Sequence, residues 1–128
     1  MAFDRDQRVR EKRQPVYQEF RDAANEYLTA EAERLACAEA KKPTCGTTAG
    51  ELQHARYRTQ VAINNIHVFG TPAARDAMRA VMRTVPATLV GPSGDPILAP
   101  VDAAAFDVAI AAFDNVTCRD VSPAPEDC

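Results

Sequence analysis

The stretch TAGELQHARYRTQVAINNIHVFGTPAARDAMRAVMRTV, residues 48–85, decides the fold. Apolar or small side chains recur in it every three or four positions. They are Leu52, Ala55, Thr59, Ala62, Ile66 and Phe69, widened by Ile63, then Ala74, Met78, Val81, Met82 and Val85. That spacing is the helical period. The punctuation agrees with it. Thr48-Ala-Gly-Glu51 has the form of a capping box, in which the threonine hydroxyl accepts from the Glu51 amide and the Glu51 side chain returns to the Thr48 amide. Gly70 is placed as a left-handed terminator. Thr71-Pro72 then restarts a helix, because threonine caps well and proline suits the first helical position. Pro86 stops it. The reading is two helices, about 49–68 and 72–85, joined by a tight link.

Toward the N-terminus, residues 14–40 carry an apolar stripe of Val16, Phe20, Ala24, Tyr27, Leu28, Leu35 and Ala38. Glu19, Asp22, Glu26, Glu33 and Arg34 occupy the opposite face. Pro15 either starts this helix or interrupts a longer one. Residues 4–13 are charged on all sides except Val9, and residues 1–13 read as a charged, frayed helical extension held by little tertiary contact. Pro43 and Gly46, in KKPTCGTT, end the first helix. Toward the C-terminus, PATLVGPSGDPILAPV, residues 86–101, is dense in proline and glycine. It reads as a packed crossover pinned by Leu89, Val90, Ile97 and Leu98, with a loose hairpin as the rival reading. Asp102 caps a fourth helix over 103–118, with Phe106, Ala109, Ile110, Phe113 and Thr117 inward. The tail, 119–128, is read as non-helical.

Four amphipathic segments in one chain of 128 residues make an all-α, antiparallel four-helix bundle, residues 14–118, with a long Pro/Gly-rich connection before the last helix. No run of eighteen apolar residues occurs, so nothing in the chain spans a membrane. The N-terminal MAFDRDQRVREKRQ lacks the apolar core of a cleavable signal.

The cysteines are Cys37, Cys45, Cys118 and Cys128. Their spacings miss the tight knuckles of structural zinc. Four cysteines allow three connectivities. In an up-down-up-down bundle, Cys37 and Cys45 share one end and Cys118 lies at the other. A helix of twenty residues is about 30 Å long, and a disulfide needs alpha carbons within about 7 Å. The local pairs 37–45 and 118–128 follow, unless the crossover turns the last helix around. Pairing places the protein in an extracytoplasmic, oxidising compartment; unpaired thiols place it in the cytoplasm or at the cytoplasmic face of a membrane.

The net charge of −3 gives no strong nucleic-acid signal. Residues 1–42 balance nine basic against nine acidic side chains, residues 43–85 carry net +3, and residues 86–128 carry net −6. The basic middle and acidic end are complementary and could pack side by side, but ordinary solvated faces are the favoured reading. Arg5, Arg8, Arg10, Lys12 and Arg13 form the densest basic cluster, diluted by Asp4, Asp6 and Glu11. Arg75, Arg79 and Arg83 repeat every fourth residue and form a ridge suited to an acidic partner, either another protein or the fourth helix of the same chain.

Reactive groups are sparse. Glu51-x-x-His54 is half of a di-iron bundle motif, but His67 is preceded at that spacing by Asn64. The two serines, Ser93 and Ser122, lie in Pro/Gly-rich segments outside any nucleophile elbow. No phosphate-cradling glycine loop occurs. Asn115-Val-Thr117 fits a glycosylation sequon inside a helical segment. No catalytic, cofactor or metal residue is assigned.

The segments REKRQPVYQEFRDAANEYL, INNIHVFGTPAARDAMRAV and DAAAFDVAIAAF resemble a loose class of small actinobacterial helical proteins. Many of these carry an N-terminal membrane helix, an arginine-rich segment and then a short antiparallel bundle. The resemblance covers most of residues 10–116 and carries no catalytic motif. The chain departs from the class in lacking the membrane helix, in Pro15 and in its four cysteines. The function expected is a non-enzymatic, helical-bundle protein-interaction module, tethered to a membrane in its full-length form, with an unidentified protein partner at Arg75, Arg79 and Arg83 or at the 86–101 loop. The alternatives are a small-molecule sensor or enzyme with an inter-helix pocket near Tyr27, Tyr57, Asn64 and His67, and a weak nucleic-acid binder.

Overall fold

The computed structural model describes residues 2–86, 89–90, 96–97 and 99–128. Four α-helices dominate them: α1 (Ala2–Glu39), α2 (Ala49–Phe69), α3 (Pro72–Thr84) and α4 (Ala103–Val121). Leu89–Val90 and Pro96–Ile97 form one short antiparallel pair, β1 and β2, in the register Leu89↔Ile97 and Val90↔Pro96. A 3-10 turn, Pro125–Asp127, closes the described tail.

Side-chain bridges fix the helix directions. Along the chain through α2, the partners on α1 run backwards: Thr47 bonds Glu33, Arg58 pairs with Glu26 and Glu19, Thr59 bonds the Ala23 carbonyl, and Phe69 receives Arg13. On the other flank Tyr17 meets Asp120 and Arg21 meets Asp114, so α4 also runs against α1. Thr71, which opens α3, meets Asp120 near the end of α4. The helices therefore alternate up, down, up, down, with α1 packed on α2 and α3 packed on α4.

Small residues let α1 and α2 approach closely. Ala23, Ala24, Ala55 and Ala62 are all buried along this seam, and the interaxial distance of packed helices is set by the side chains at the contact. Thr59 ties the seam: its hydroxyl lies 2.8 Å from the Ala55 carbonyl and 3.1 Å from the Ala23 carbonyl. Beyond it, Phe20 and Phe113 meet at 5.1 Å, and Tyr17 meets Phe113 edge-on at 6.1 Å. Ile66, Met78, Val81 and Phe106 complete the dry interior.

The caps follow the sequence, with two changes. The Glu51 amide donates to Thr48 Oγ1 at 3.1 Å, and the Ala105 amide donates to Asp102 Oδ1 at 3.0 Å. The Glu51 carboxylate, however, accepts from the Thr48 hydroxyl rather than the Thr48 amide. Gly70 is extended, at φ −79° and ψ 161°, rather than left-handed. Its lack of a side chain serves a close approach instead: a β-carbon there would lie 2.6 Å from the Ile66 carbonyl oxygen.

Three boundaries also differ from the sequence reading. The helical extension before residue 14 is continuous with the first helix, because α1 runs unbroken from Ala2 with Pro15 inside it. The fourth helix continues past residue 118 to Val121, and the 119–128 tail contains helical turns. Within the 86–101 connection the described residues form the β1–β2 pair, which matches the hairpin reading. Whether Leu89, Val90, Ile97 and Leu98 pin it to the core lies outside the described side chains. Ala38 is exposed and Cys37 takes the inward position in the last turn of α1. Phe69 ends the α2 stripe partly exposed.

Candidate functional site

The arginine ridge on α3 is held from its N-terminal end. Thr71 Oγ1 accepts from the Ala74 amide at 3.1 Å, which caps α3, and its hydroxyl donates to Asp120 Oδ2 at 2.5 Å. The Tyr17 hydroxyl donates to the same carboxylate oxygen at 2.8 Å and accepts from the Thr71 amide at 3.3 Å. One polar knot thus joins α1, the first turn of α3 and the last turn of α4. Burial pushes the Tyr17 phenol above its ordinary value, opposed by the Thr71 amide and reinforced by the Asp120 carboxylate.

Along α3 the three arginines do different work. Arg75 is half-buried, and its guanidinium donates to the carbonyls of Gly70 at 3.2 Å and His67 at 3.5 Å. Arg13 of α1 donates to the neighbouring Phe69 carbonyl at 3.0 Å. Both satisfy carbonyls that the end of α2 leaves open, where a positive charge is favoured. Arg79 is exposed and pairs with Asp76 at 2.9 Å, one turn back on the same helix. Arg83 is exposed. The outward ridge thus narrows to Arg79 and Arg83.

Among the described residues no ion pair joins the basic middle to the acidic end. Among the described residues, the interhelix ion pairs all involve α1. Arg58 of the basic middle inserts between Glu19 and Glu26, with its Nε 2.7 Å from Glu19. This bond holds the Glu19 carboxyl below its usual range and raises the guanidinium. Asp114 of the acidic end takes both oxygens to Arg21 Nε, at 2.9 and 3.0 Å. A basic α3 pairing with an acidic α4 is not what holds those helices together.

The other sequence candidates are scattered. Tyr27 is buried, whereas Tyr57 is 70% exposed and Asn64 and His67 lie on the outer side of α2, so the four do not converge on a pocket. His54 and Glu51 are both exposed. Asn115 donates to the Cys128 carbonyl at 3.2 Å, and Thr117 is buried, bonding back to the Phe113 carbonyl. Ser122 accepts from the Ala124 amide just after α4, while Ser93 lies outside the described residues. Arg5 and Arg8 are exposed on the part of α1 that runs past the end of α2.

The cysteines close the two ends of the bundle. Cys37 pairs with Cys45 at a Cα separation of 5.8 Å, and Cys118 pairs with Cys128 at 5.9 Å. A cavity of about 170 Å³ lies beside the second pair, lined among others by Tyr17, Arg21, Asp114 and Cys118.

Sequence reasoning missed two features. Glu31 is 1% exposed, on the inward face of α1. The gap of seven between Leu28 and Leu35 in the apolar stripe was its signal, since an inward position falls halfway. The Tyr17–Thr71–Asp120 knot has no sequence signal, because its members are brought together only by the packing of three helices.

The fold and these surfaces define a disulfide-closed, all-α four-helix bundle with a cationic α3 face. No family model matches the chain, and neither the curated proteins nor the solved structures give a match to it.

Proposed function

We propose that the chain is a non-enzymatic protein-interaction module that presents the outer face of α3 to an acidic partner. The observation that supports it most is the pair Arg79 and Arg83, exposed one turn apart on a helix whose first turn is fastened to both α1 and α4. Arginines on a rigid support lose little freedom when they grip a carboxylate, and their forked donors suit it. Two cysteine pairs support an oxidising, extracytoplasmic setting.

The test is a pull-down from the native host with the full chain. The double variant Arg79→Glu, Arg83→Glu should lose the partner that the parent retains, while a charge placed on α4, Val108→Glu, leaves it bound. Retention by the double variant contradicts the reading.

A further inference from the structure

The exposed apolar residues are not spread evenly. Of the six large hydrophobic side chains exposed among the described residues, four lie on α2: Tyr57, Val61, Val68 and Phe69. Three of them form a line. Tyr57, Val61 and Val68 share the outward face of α2 with His54 and Asn64, and the order 54, 57, 61, 64, 68 steps by three and four alternately. This is the spacing of a coiled-coil seam. It is separate from the inward stripe of Leu52, Ala55, Thr59, Ala62 and Ile66, which is already buried against the bundle.

The seam is also uncharged. Thr59 to Ala74 contains no Asp, Glu, Lys or Arg, sixteen residues in a chain in which 26% are charged. Of the cations that flank it, Arg58 is turned onto Glu19 and Glu26 of α1, Arg75 onto the His67 and Gly70 carbonyls, and Arg56 is exposed beside Tyr57. The occupant follows from this charge pattern. A two-fold contact sets a surface against its own copy, so it must be self-complementary. The α3 ridge and the carboxylates of the acidic end would repel their own copies, whereas the five seam positions of α2 carry no Asp, Glu, Lys or Arg.

We propose that the outer face of α2 is a homodimer interface, with Val61 at the two-fold centre and Tyr57, Asn64 and Val68 along the seam. The inference goes beyond the α3 reading and uses a different face, so either can fail without the other. A single helix pair of this length reaches only the low end of specific interface sizes. The dimer is therefore weak, with a dissociation constant on the order of tens of micromolar.

The test is sedimentation of the intact, oxidised chain from about 10 μM to about 1 mM, a range that brackets such an affinity. The weight-average mass should climb from 13.9 kDa toward twice that value. Val61→Glu and, independently, Val68→Glu should hold it at the monomer mass with an unchanged far-ultraviolet spectrum. Val108→Glu, on α4, should dimerise like the parent. Val61→Cys should give a reducible dimer under mild oxidation. A parent that stays monomeric throughout overturns the proposal, and so does a Val68→Glu variant that is folded and still dimerises.

Discussion

Gly70 shows how one residue sets a junction. It sits between α2 and α3 at an ordinary negative φ, so its requirement is space rather than backbone freedom. A methyl group would press on the Ile66 carbonyl, whose oxygen already accepts from the Gly70 amide at 2.8 Å. Gly70→Ala should destabilise the fold by about 1–3 kcal/mol, the usual cost of overpacking, read as a lower urea midpoint at unchanged slope. Sequence reasoning identified the right residue for the wrong physical reason, because glycine marks both left-handed turns and close approaches. Tyr17 makes the second residue-scale case. Its phenol is raised in the folded state, so the native protein holds that proton more tightly than the unfolded chain. The stabilisation is complete below the ordinary tyrosine value, about 10, and is lost as pH climbs through the folded value. Tyr17→Phe should cost about 1–2 kcal/mol at neutral pH through the lost hydrogen bonds. It should also flatten the fall in thermal midpoint that the parent shows above pH 10 or so.

At the scale of elements, the helix centres were legible and the ends were not. Periodicity reports which face is buried, and Phe20, Leu52, Ile66, Met78 and Phe113 lie inward as their spacing required. It is silent where a helix lacks an apolar stripe, which is why residues 2–13 read as a frayed extension rather than as the first turns of α1. Pro15 left open whether a helix starts there or a longer one passes through it. Proline removes one backbone donor and crowds the carbonyl four residues earlier, yet the helix passes through it. At 38 residues and 1.5 Å per residue, α1 is about 57 Å long against about 32 Å for α2, and its N-terminal turns run beyond Phe69. Pro15→Ala restores an amide that can bond the Glu11 carbonyl. Hydrogen exchange should then slow in residues 8–14, while the global unfolding midpoint moves little. Equal exchange in the two proteins would show that the helix is not continuous there. The α3 ridge was legible as spacing alone: Arg75, Arg79 and Arg83 do share a face. That Arg75 is engaged by the end of α2 depends on the angle at Gly70, which no periodicity encodes.

For the whole molecule, topology and cysteine placement are one statement. Alternating helices put Cys37 and Cys45 at the end where α1 gives way to α2, and Cys118 and Cys128 at the opposite end beside the Tyr17–Asp120 contact. Each bridge closes a loop of about ten residues and should contribute about 2–3 kcal/mol by restricting the unfolded chain. The first anchors Cys37 inside the last turn of α1, and the second ties the proline-rich tail back to α4. The chain's charges brace the same arrangement by a route that segment totals concealed. Regional sums allowed the basic middle to pack on the acidic end, whereas Arg58 and Asp114 both reach α1, which carries nine acidic and seven basic side chains.

The most direct check on this arrangement is a disulfide map of protein purified without reductant and digested with trypsin under denaturing, non-reducing conditions. The bundle predicts that peptide 35–41 is linked to 42–56 and peptide 84–119 to 120–128, with no free thiol. A link between either of the first two peptides and either of the last two would join opposite ends of the bundle, and would contradict the antiparallel fold.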